Sequence, residues 1–136
     1  MTGASDSERP ARLSRGEAQK GEHMQSVAFA APLLPGKTET ERQAMASCSA
    51  GERQAAFEAS RTRHGISRES VWIQETPGGD VAVVYLEADD LQAAFQGLGS
   101  SEEPFDVWFR GHVLDVHGID LAQGFPPPEQ TVDFRR

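Results

Sequence analysis

The clearest pattern of apolar and polar positions lies between residues 70 and 87. β-Branched and aromatic side chains fill residues 70–75 and 80–87, and the four residues between them read Thr-Pro-Gly-Gly. Runs of this kind favour strands, and a proline followed by glycines supplies the backbone conformations that a hairpin loop needs. The pattern therefore predicts a β-hairpin.

The second hairpin strand is apolar on both faces. Alternate residues of a strand share a face, and neither face here carries the polar residues that a water-exposed face shows. The two sets are Val81, Val83 and Tyr85 on one face and Ala82, Val84 and Leu86 on the other. We expect the chain's own helices to cover one face and a second copy of the chain to cover the other.

Two more segments complete the predicted sheet. Residues 25–31 are mostly apolar and end at a proline, so they are interpreted as a first strand. Residues 130–135 alternate like an edge strand, after three consecutive prolines at 126–128 that require an extended backbone.

A long helix is predicted between the first strand and the hairpin, from residue 38 to about residue 64. Thr38 and Glu41 have the spacing of a capping box, in which each side chain binds a free backbone N–H. Gly65 fits the position that ends a helix. The segment Ser-Ala-Gly at 49–51 either bends this helix or breaks it into two.

Two shorter helices are predicted after the hairpin. Asp89 or Asp90 caps the first, which ends near residue 99. A second capping box, Ser100 with Glu103, opens a helix over residues 105–117 that Gly118 ends. The predicted order is βαββααβ, an α+β, ferredoxin-like fold with an antiparallel sheet.

Charge and composition divide the 136 residues into a tail and one domain. Residues 1–23 carry as many acidic as basic side chains and almost no large apolar ones, which predicts a disordered tail before a domain at 24–136. The whole net charge of −8 therefore falls on the domain. An acidic surface repels phosphate backbones and anionic lipid, so we expect no nucleic-acid or membrane partner. Neither a membrane-spanning apolar run nor the apolar region of a secretory signal is found, so we expect a cytoplasmic protein.

Familiar catalytic motifs are absent from the sequence. It contains no phosphate-binding glycine loop, nucleophile elbow, zinc-protease helix or paired-cysteine motif, which disfavours common hydrolases and nucleotide enzymes. The single cysteine, Cys48, is interpreted as packing within a helix. No metal site is predicted.

Candidate chemistry concentrates on the last predicted helix. At 100° per residue, Phe105, Phe109, His112 and Val116 form one apolar stripe with Trp108 at its margin, so His112 lies in the middle of the buried face. A buried imidazole can act as a base, as a hydrogen-bond donor or as an iron ligand. The alternative is a core histidine paired with a backbone carbonyl or with Tyr85.

Other polar residues of the helices have simpler interpretations. His64 and His117 both lie at helix ends, where a cation is favoured. Asp106 and Arg110, four residues apart, are interpreted as a pair on the solvent side. Gly111 either lets a ligand or another backbone approach closely or marks contact with a neighbouring helix.

The element order and the helix at 104–117, which reads Pro-Phe-Asp-Val-Trp-Phe-Arg-Gly-His-Val-Leu-Asp-Val-His, resemble the dimeric α+β barrel superfamily. That superfamily includes the antibiotic-biosynthesis monooxygenases, and the nearest relatives are expected to form an uncharacterised bacterial domain family. The helix is also similar to the Trp and His helix of small haem-degrading monooxygenases.

The resemblance implies a homodimer that binds a small molecule between the sheet and the helices of each subunit. It implies His112 as the polar contact or base and Trp108 and Phe109 as apolar walls, and Tyr85 and Trp72 are further candidate ligand-binding residues. The implied reaction is cofactor-independent oxygenation of an aromatic or polyketide-like compound. The alternatives are a haem protein using His112 or His117, and a non-catalytic dimer that meets a partner.

Overall fold

A three-stranded antiparallel sheet organises the chain. The computed structural model describes residues 24–124 and 126–136, so the tail predicted at 1–23 lies outside the described residues. The strands are β1 (Gln25–Pro32), β2 (Ile66–Thr76) and β3 (Gly79–Ala88), and β3 lies in the centre with β1 and β2 on either side.

Four α-helices lie among the described residues. Two of them separate β1 from β2, and two follow β3. They are α1 (Thr38–Ala50), α2 (Gln54–Arg63), α3 (Leu91–Ser100) and α4 (Pro104–His117), followed by a short 3-10 turn at Leu121–Gln123. The result is an α+β architecture compatible with a ferredoxin-like fold.

The predicted hairpin is confirmed, and its strands are longer than the sequence pattern indicated. Trp72 pairs with Val83 and Val71 with Val84 along the two strands. At the loop, the hydroxyl of Thr76 accepts a hydrogen bond from the N–H of Gly78 at 3.2 Å and donates to the carbonyl of Gly79. Gly79 has φ +126°, a conformation that favours glycine.

The segment predicted as one helix that is bent or broken is two helices. The break falls at Gly51, where a Cβ would lie 2.8 Å from the Cα of Ser47. Only glycine fits so close to another backbone. Gly65 and Gly118, which were predicted to end α2 and α4, have φ +73° and +72°.

The helices cover one face of the sheet, here called the inner face. The buried core on that face joins the sheet to α3, and it consists of Ile66, Leu86, Ala88, Ala94 and Leu98. The other face, here called the outer face, carries these side chains of the three strands: Ser26, Ala28, Ala30, Pro32, Arg68, Ser70, Trp72, Gln74, Val81, Val83, Tyr85 and Glu87.

The last predicted strand does not form. Residues 130–135 have no strand pairing, and the side chains of Val132 and Phe134 are 77% and 83% exposed. β1 and β2 are both edge strands of the described sheet, and residues 130–135 pair with neither. Here the prolines at 126–128, which donate no backbone hydrogen bond, lie beside the inner face and the segment beyond them stays in solvent.

Both predicted capping boxes are also wrong. The hydroxyl of Thr38 donates to Asp80 of β3 at 2.6 Å, and Glu103 is itself the residue before α4 with no side-chain cap. The cap predicted at Asp90 is confirmed, since its carboxylate accepts from the N–H of Ala93 at 3.1 Å. Because the Thr38–Glu41 capping box does not form, the Glu41 carboxylate can bind a residue of another helix.

Candidate functional site

A cavity of about 370 Å³ lies between the inner face and the helices. Its volume falls in the range of small-molecule sites, roughly 300–1,000 Å³. Most of its wall is hydrocarbon from both layers, contributed by Phe29, Val71, Val84, Leu86, Phe95 and Phe109. A cavity of this size shows that the core around His112 is not simply filled.

A carboxylate–imidazole pair forms the polar contact in this wall. Nε2 of His112 lies 2.7 Å from Oε1 of Glu41, and the two residues are only 8% and 3% exposed. An ionised carboxylate can only accept, so Nε2 of His112 donates the hydrogen of this bond. Nδ1 is then the ring nitrogen left for a ligand, as an acceptor if the imidazole is neutral and as a donor if it is protonated.

Trp108 holds the His112 ring from one side. The two rings stack at 5.4 Å with planes 14° apart, and the guanidinium of Arg53 lies 4.0 Å from the Trp108 ring centre. These contacts restrict rotation of the imidazole, because it packs against an aromatic surface while it is bonded to Glu41.

Glu41 reaches this position from the first turn of α1. That helix buries Glu41, Ala44 and Cys48, which are spaced by three and four residues on one side. The sequence interpretation assigned Glu41 to a cap and missed this contact. Its spacing from Ala44 and Cys48 is the signal that could have placed it on the buried face.

A second charged pair lines the same cavity. Nε of Arg61 donates to Oε1 of Glu69 at 2.7 Å, and the side chains are 7% and 10% exposed. The Arg61 guanidinium also lies 4.4 Å from the Phe109 ring centre. Because Glu69 neutralises the guanidinium, this pair adds polarity to the wall without adding net charge.

The predicted site residues separate into two groups. His112 and Phe109 line the cavity, and Trp108 supports His112 from behind. Tyr85 and Trp72 lie on the outer face, so they do not share this cavity with His112. Alternation along β2 and β3 turns them away from the helices.

Two histidine interpretations are refined by the contacts. His112 pairs with Glu41 rather than with a carbonyl or with Tyr85, whose hydroxyl donates to Glu87 at 2.6 Å. Nδ1 of His117 lies 2.8 Å from the carbonyl oxygen of Pro32, which ties the end of α4 to β1.

Asp106 contradicts the prediction of a solvent-side pair with Arg110. It is fully buried, and Arg63, His64 and Ser60 of the α2 end surround its carboxylate. Arg110 instead donates to the carbonyl of Leu98 at 2.8 Å. Asp106 therefore joins α4 to α2.

The hydrogen bonds to Asp106 determine its ionisation. Burial acts to raise its pKa, but hydrogen bonds from Ser101, Ser60, His64 and Arg63 outweigh burial and hold the pKa of Asp106 far below its ordinary value. The carboxylate is therefore charged in the folded chain, and it stabilises the fold beside the cavity.

Cys48 and Gly111 were also considered in the sequence, and neither is part of the cavity wall. Cys48 is buried, and burial is the main cause that raises the pKa of its thiol, so it stays protonated as expected for packing. Gly111 is exposed, and a Cβ there would meet nothing within 4 Å, so no neighbouring helix or backbone of the described residues lies close to it.

Comparisons with known proteins add no relative. No family model, curated protein or solved structure matches the chain.

Among the described residues, no three acidic, histidine or cysteine side chains come together as metal ligands. Within the same residues no helix is both long and apolar enough to cross a membrane.

Proposed function

We propose that this chain binds a small, mainly apolar molecule that carries a hydroxyl group. The observation that supports it is the Glu41–His112 pair in the wall of an otherwise hydrocarbon-lined cavity of about 370 Å³. The apolar wall buries the body of the ligand, and the acceptor nitrogen of His112 receives the hydrogen of its hydroxyl.

The same pair supports a reaction. With Glu41 holding the imidazole, His112 can take a proton from an acidic position of an aromatic or polyketide-like compound. For an anthrone, that proton comes from the ring CH₂. The resulting anion reduces O₂ and bonds to it, and return of the proton gives the hydroperoxide R₂CH–OOH, which holds both oxygens. Loss of water from the hydroperoxide keeps one oxygen as a ketone, so that R₂CH₂ and O₂ give R₂C=O and H₂O.

Binding is tested with 1-naphthol and 1-methylnaphthalene, which have nearly the same shape and differ in the hydroxyl. Calorimetric titration should show 1-naphthol binding about tenfold more tightly, the worth of one well-made buried hydrogen bond. Equal affinities would contradict the role of His112, and failure of both compounds to bind would contradict the cavity as a ligand site.

Catalysis is tested separately with 1,8-dihydroxy-9-anthrone in air. Oxygen consumption and quinone absorbance should both rise faster with the protein than without it. If 1-naphthol binds but the anthrone reacts at the uncatalysed rate, the binding proposal stands and the oxygenase proposal fails.

The haem alternative gains no specific support from the contacts. His112 and His117 each use one ring nitrogen in a hydrogen bond within the protein, and because iron ligands commonly do the same, these contacts single out neither histidine as a haem ligand. Most of the cavity wall is hydrocarbon, which suits a mainly apolar organic molecule.

We also propose that two copies of the chain pair through their outer faces. Val81 and Val83 occupy the centre of that face, and Trp72 is 56% exposed there. Arg68 and Glu87 are its only charged strand side chains, so the face is neutral in a chain of net charge −8. A neutral apolar face can approach its copy without the repulsion that acts elsewhere on the surface.

Replacing Trp72 with glutamate should convert this dimer to a monomer. The substitution places a desolvated charge in the pairing surface while leaving the inner core untouched. Native mass spectrometry measures the subunit count, and Val132→Glu, which changes an exposed apolar residue off the sheet, serves as the control. A wild-type monomer at tens of micromolar, or a dimer that Trp72→Glu leaves intact, would refute the proposal.

A further inference from the structure

Part of the buried Arg61 guanidinium has no hydrogen-bond acceptor among the described residues. A guanidinium carries five N–H donors. Nε donates to Oε1 of Glu69 at 2.7 Å, Nη2 to Oε2 of Glu69 at 3.4 Å, and Nη1 to the hydroxyl of Ser60 at 3.1 Å. One N–H of Nη1 and one of Nη2 are left over. A buried donor without an acceptor costs free energy, so these N–H groups favour an acceptor from outside the chain.

Aromatic rings hold the guanidinium in place without supplying that acceptor. Its central carbon lies 4.7 Å from the ring centre of Phe57 and 4.4 Å from that of Phe109. The ring faces attract the positive charge, but their carbon atoms have no lone pair to accept an N–H hydrogen bond. Arg61 lines the same cavity as His112, so an oxygen atom of a bound molecule can reach the guanidinium there.

Arg61 and His112 meet α4 about one turn apart. The Arg61 guanidinium packs on Phe109, and His112 follows Phe109 by three residues. Residues three apart on a helix have Cβ atoms roughly 5–6 Å from each other. That distance is comparable to the span of two fused rings, so one rigid molecule can contact both polar groups.

The charges around the cavity favour an acceptor that is neutral. Four ionisable side chains of its wall are at most 10% exposed, and they are Glu41, Arg61, Glu69 and His112. The two carboxylates balance the guanidinium and even a protonated imidazole, so these groups leave no surplus positive charge for an anion. An anion buried without an opposite charge costs far more than a neutral oxygen that is hydrogen-bonded. A ketone supplies an acceptor oxygen without a charge.

We propose that the ligand also carries a ketone oxygen, which accepts a hydrogen bond from Arg61 while the hydroxyl contacts His112. This inference rests on the proposed function and narrows its ligand class to hydroxyketones on a fused-ring skeleton. Arg61 is then a second specificity-determining contact of the cavity, and Glu69 is the residue that positions it.

The probes are 5-hydroxy-1-tetralone and 7-hydroxy-1-tetralone, each compared with the hydroxytetralin that has CH₂ in place of the carbonyl. Both hydroxyls are meta to the carbonyl group, so the ketone changes their acidity little. A carbonyl that finds no donor in the cavity lowers affinity, because it loses its hydrogen bonds to water. Calorimetric titration of the wild-type chain should instead show at least one ketone binding about tenfold more tightly than its hydroxytetralin.

The wild-type titrations separate the two proposals. If neither ketone binds more tightly than its hydroxytetralin, the inference is overturned and the binding proposal stands. If the hydroxytetralins themselves fail to bind, the proposed function is refuted instead.

A double variant assigns the ketone contact to Arg61. Arg61→Met is combined with Glu69→Leu, since Arg61→Met alone would leave a buried carboxylate without its partner. The preference should reverse in favour of the hydroxytetralin, whose own affinity should change less than threefold and thereby shows that the cavity is intact. Arg42→Met with Glu39→Leu removes an exposed arginine–glutamate pair outside the cavity and should leave the preference unchanged. A tenfold ketone preference that survives loss of Arg61 would overturn the assignment.

Arg61→Lys gives a second test that does not depend on folding of the double variant. It keeps a positive charge beside Glu69 but replaces the planar fork of donors by a single ammonium group. The ketone preference should fall at least threefold while hydroxytetralin affinity stays within twofold of wild type. An unchanged preference would contradict recognition by the guanidinium.

Discussion

Replacing Asp106 with asparagine is expected to lower the free energy of unfolding at pH 7 by about 1–3 kcal/mol. The substitution keeps the shape of the side chain and removes its charge. Arg63 and His64 then lie against a neutral amide, with His64 only 8% exposed. Arg63 is 37% exposed and stays partly solvated, so the main loss is that of the hydrogen bonds to a fully buried carboxylate: the amide places N–H donors among the donors of Ser60 and Arg63.

Urea unfolding of wild type and Asp106→Asn measures this effect, and Asp115→Asn is the control on the same helix. Asp115 pairs with Lys37 at 2.8 Å but is 51% exposed, so its replacement should cost less than about 1 kcal/mol. Similar losses in the two variants would show that the Asp106 cluster is not the joint between α2 and α4.

The same comparison has a defined pH dependence. Folding lowers the pKa of Asp106, so its stabilisation is complete above the unfolded value of about 3.9 and is lost as pH falls towards the lower folded value. The part of the stability gap between wild type and Asp106→Asn that comes from the ionised Asp106 should narrow below about pH 4. A gap that is unchanged at pH 3 would contradict an ionised Asp106.

The features that the sequence predicted correctly are those that neighbouring residues determine. Gly65 and Gly118 end helices because the left-handed conformation required there favours glycine whatever lies nearby. Asp90 caps α3 through an N–H only three residues away. The hairpin formed for the same reason, since its loop and both its strands are contiguous.

The predictions that failed depend on competition between distant groups. Thr38 was expected to cap its own helix, but Asp80 lies 42 residues away in sequence and takes its hydroxyl. Residues 130–135 have the alternation of a strand, and nothing in that alternation states whether an edge is within reach. A local pattern therefore shows which structures a segment can form, and tertiary contacts determine which of those structures is formed.

For the same reason, only part of the candidate site was predicted: His112 was placed, and its partner was missed. The helical wheel placed His112 on the buried face correctly, because that depends only on α4. Its partner Glu41 is 71 residues away, and the partner of Asp106 on α2, Ser60, is 46 residues away. Which carboxylate meets which imidazole follows from how α1, α2 and α4 pack, and no spacing within one helix contains that information.

Replacing Glu41 with glutamine should remove most of the preference of the cavity for 1-naphthol over 1-methylnaphthalene. A carboxylate only accepts, which keeps the hydrogen on Nε2 of His112, whereas an amide can also donate and lets the ring adopt the other tautomer. The remaining nitrogen then becomes a donor, and the hydrogen bond to the ligand's hydroxyl weakens. We expect the preference to fall roughly tenfold while affinity for 1-methylnaphthalene changes less than twofold.

A double substitution separates this effect from damage to the fold. His112→Phe alone would leave Glu41 buried without a partner, a change that destabilises for reasons unrelated to the ligand. Glu41→Leu with His112→Phe replaces both polar groups by apolar ones and keeps an aromatic ring against Trp108. This variant should fold, bind both naphthalenes and show no preference between them. If it still prefers 1-naphthol, the hydroxyl is recognised elsewhere in the cavity, and the Arg61–Glu69 pair becomes the site of that contact.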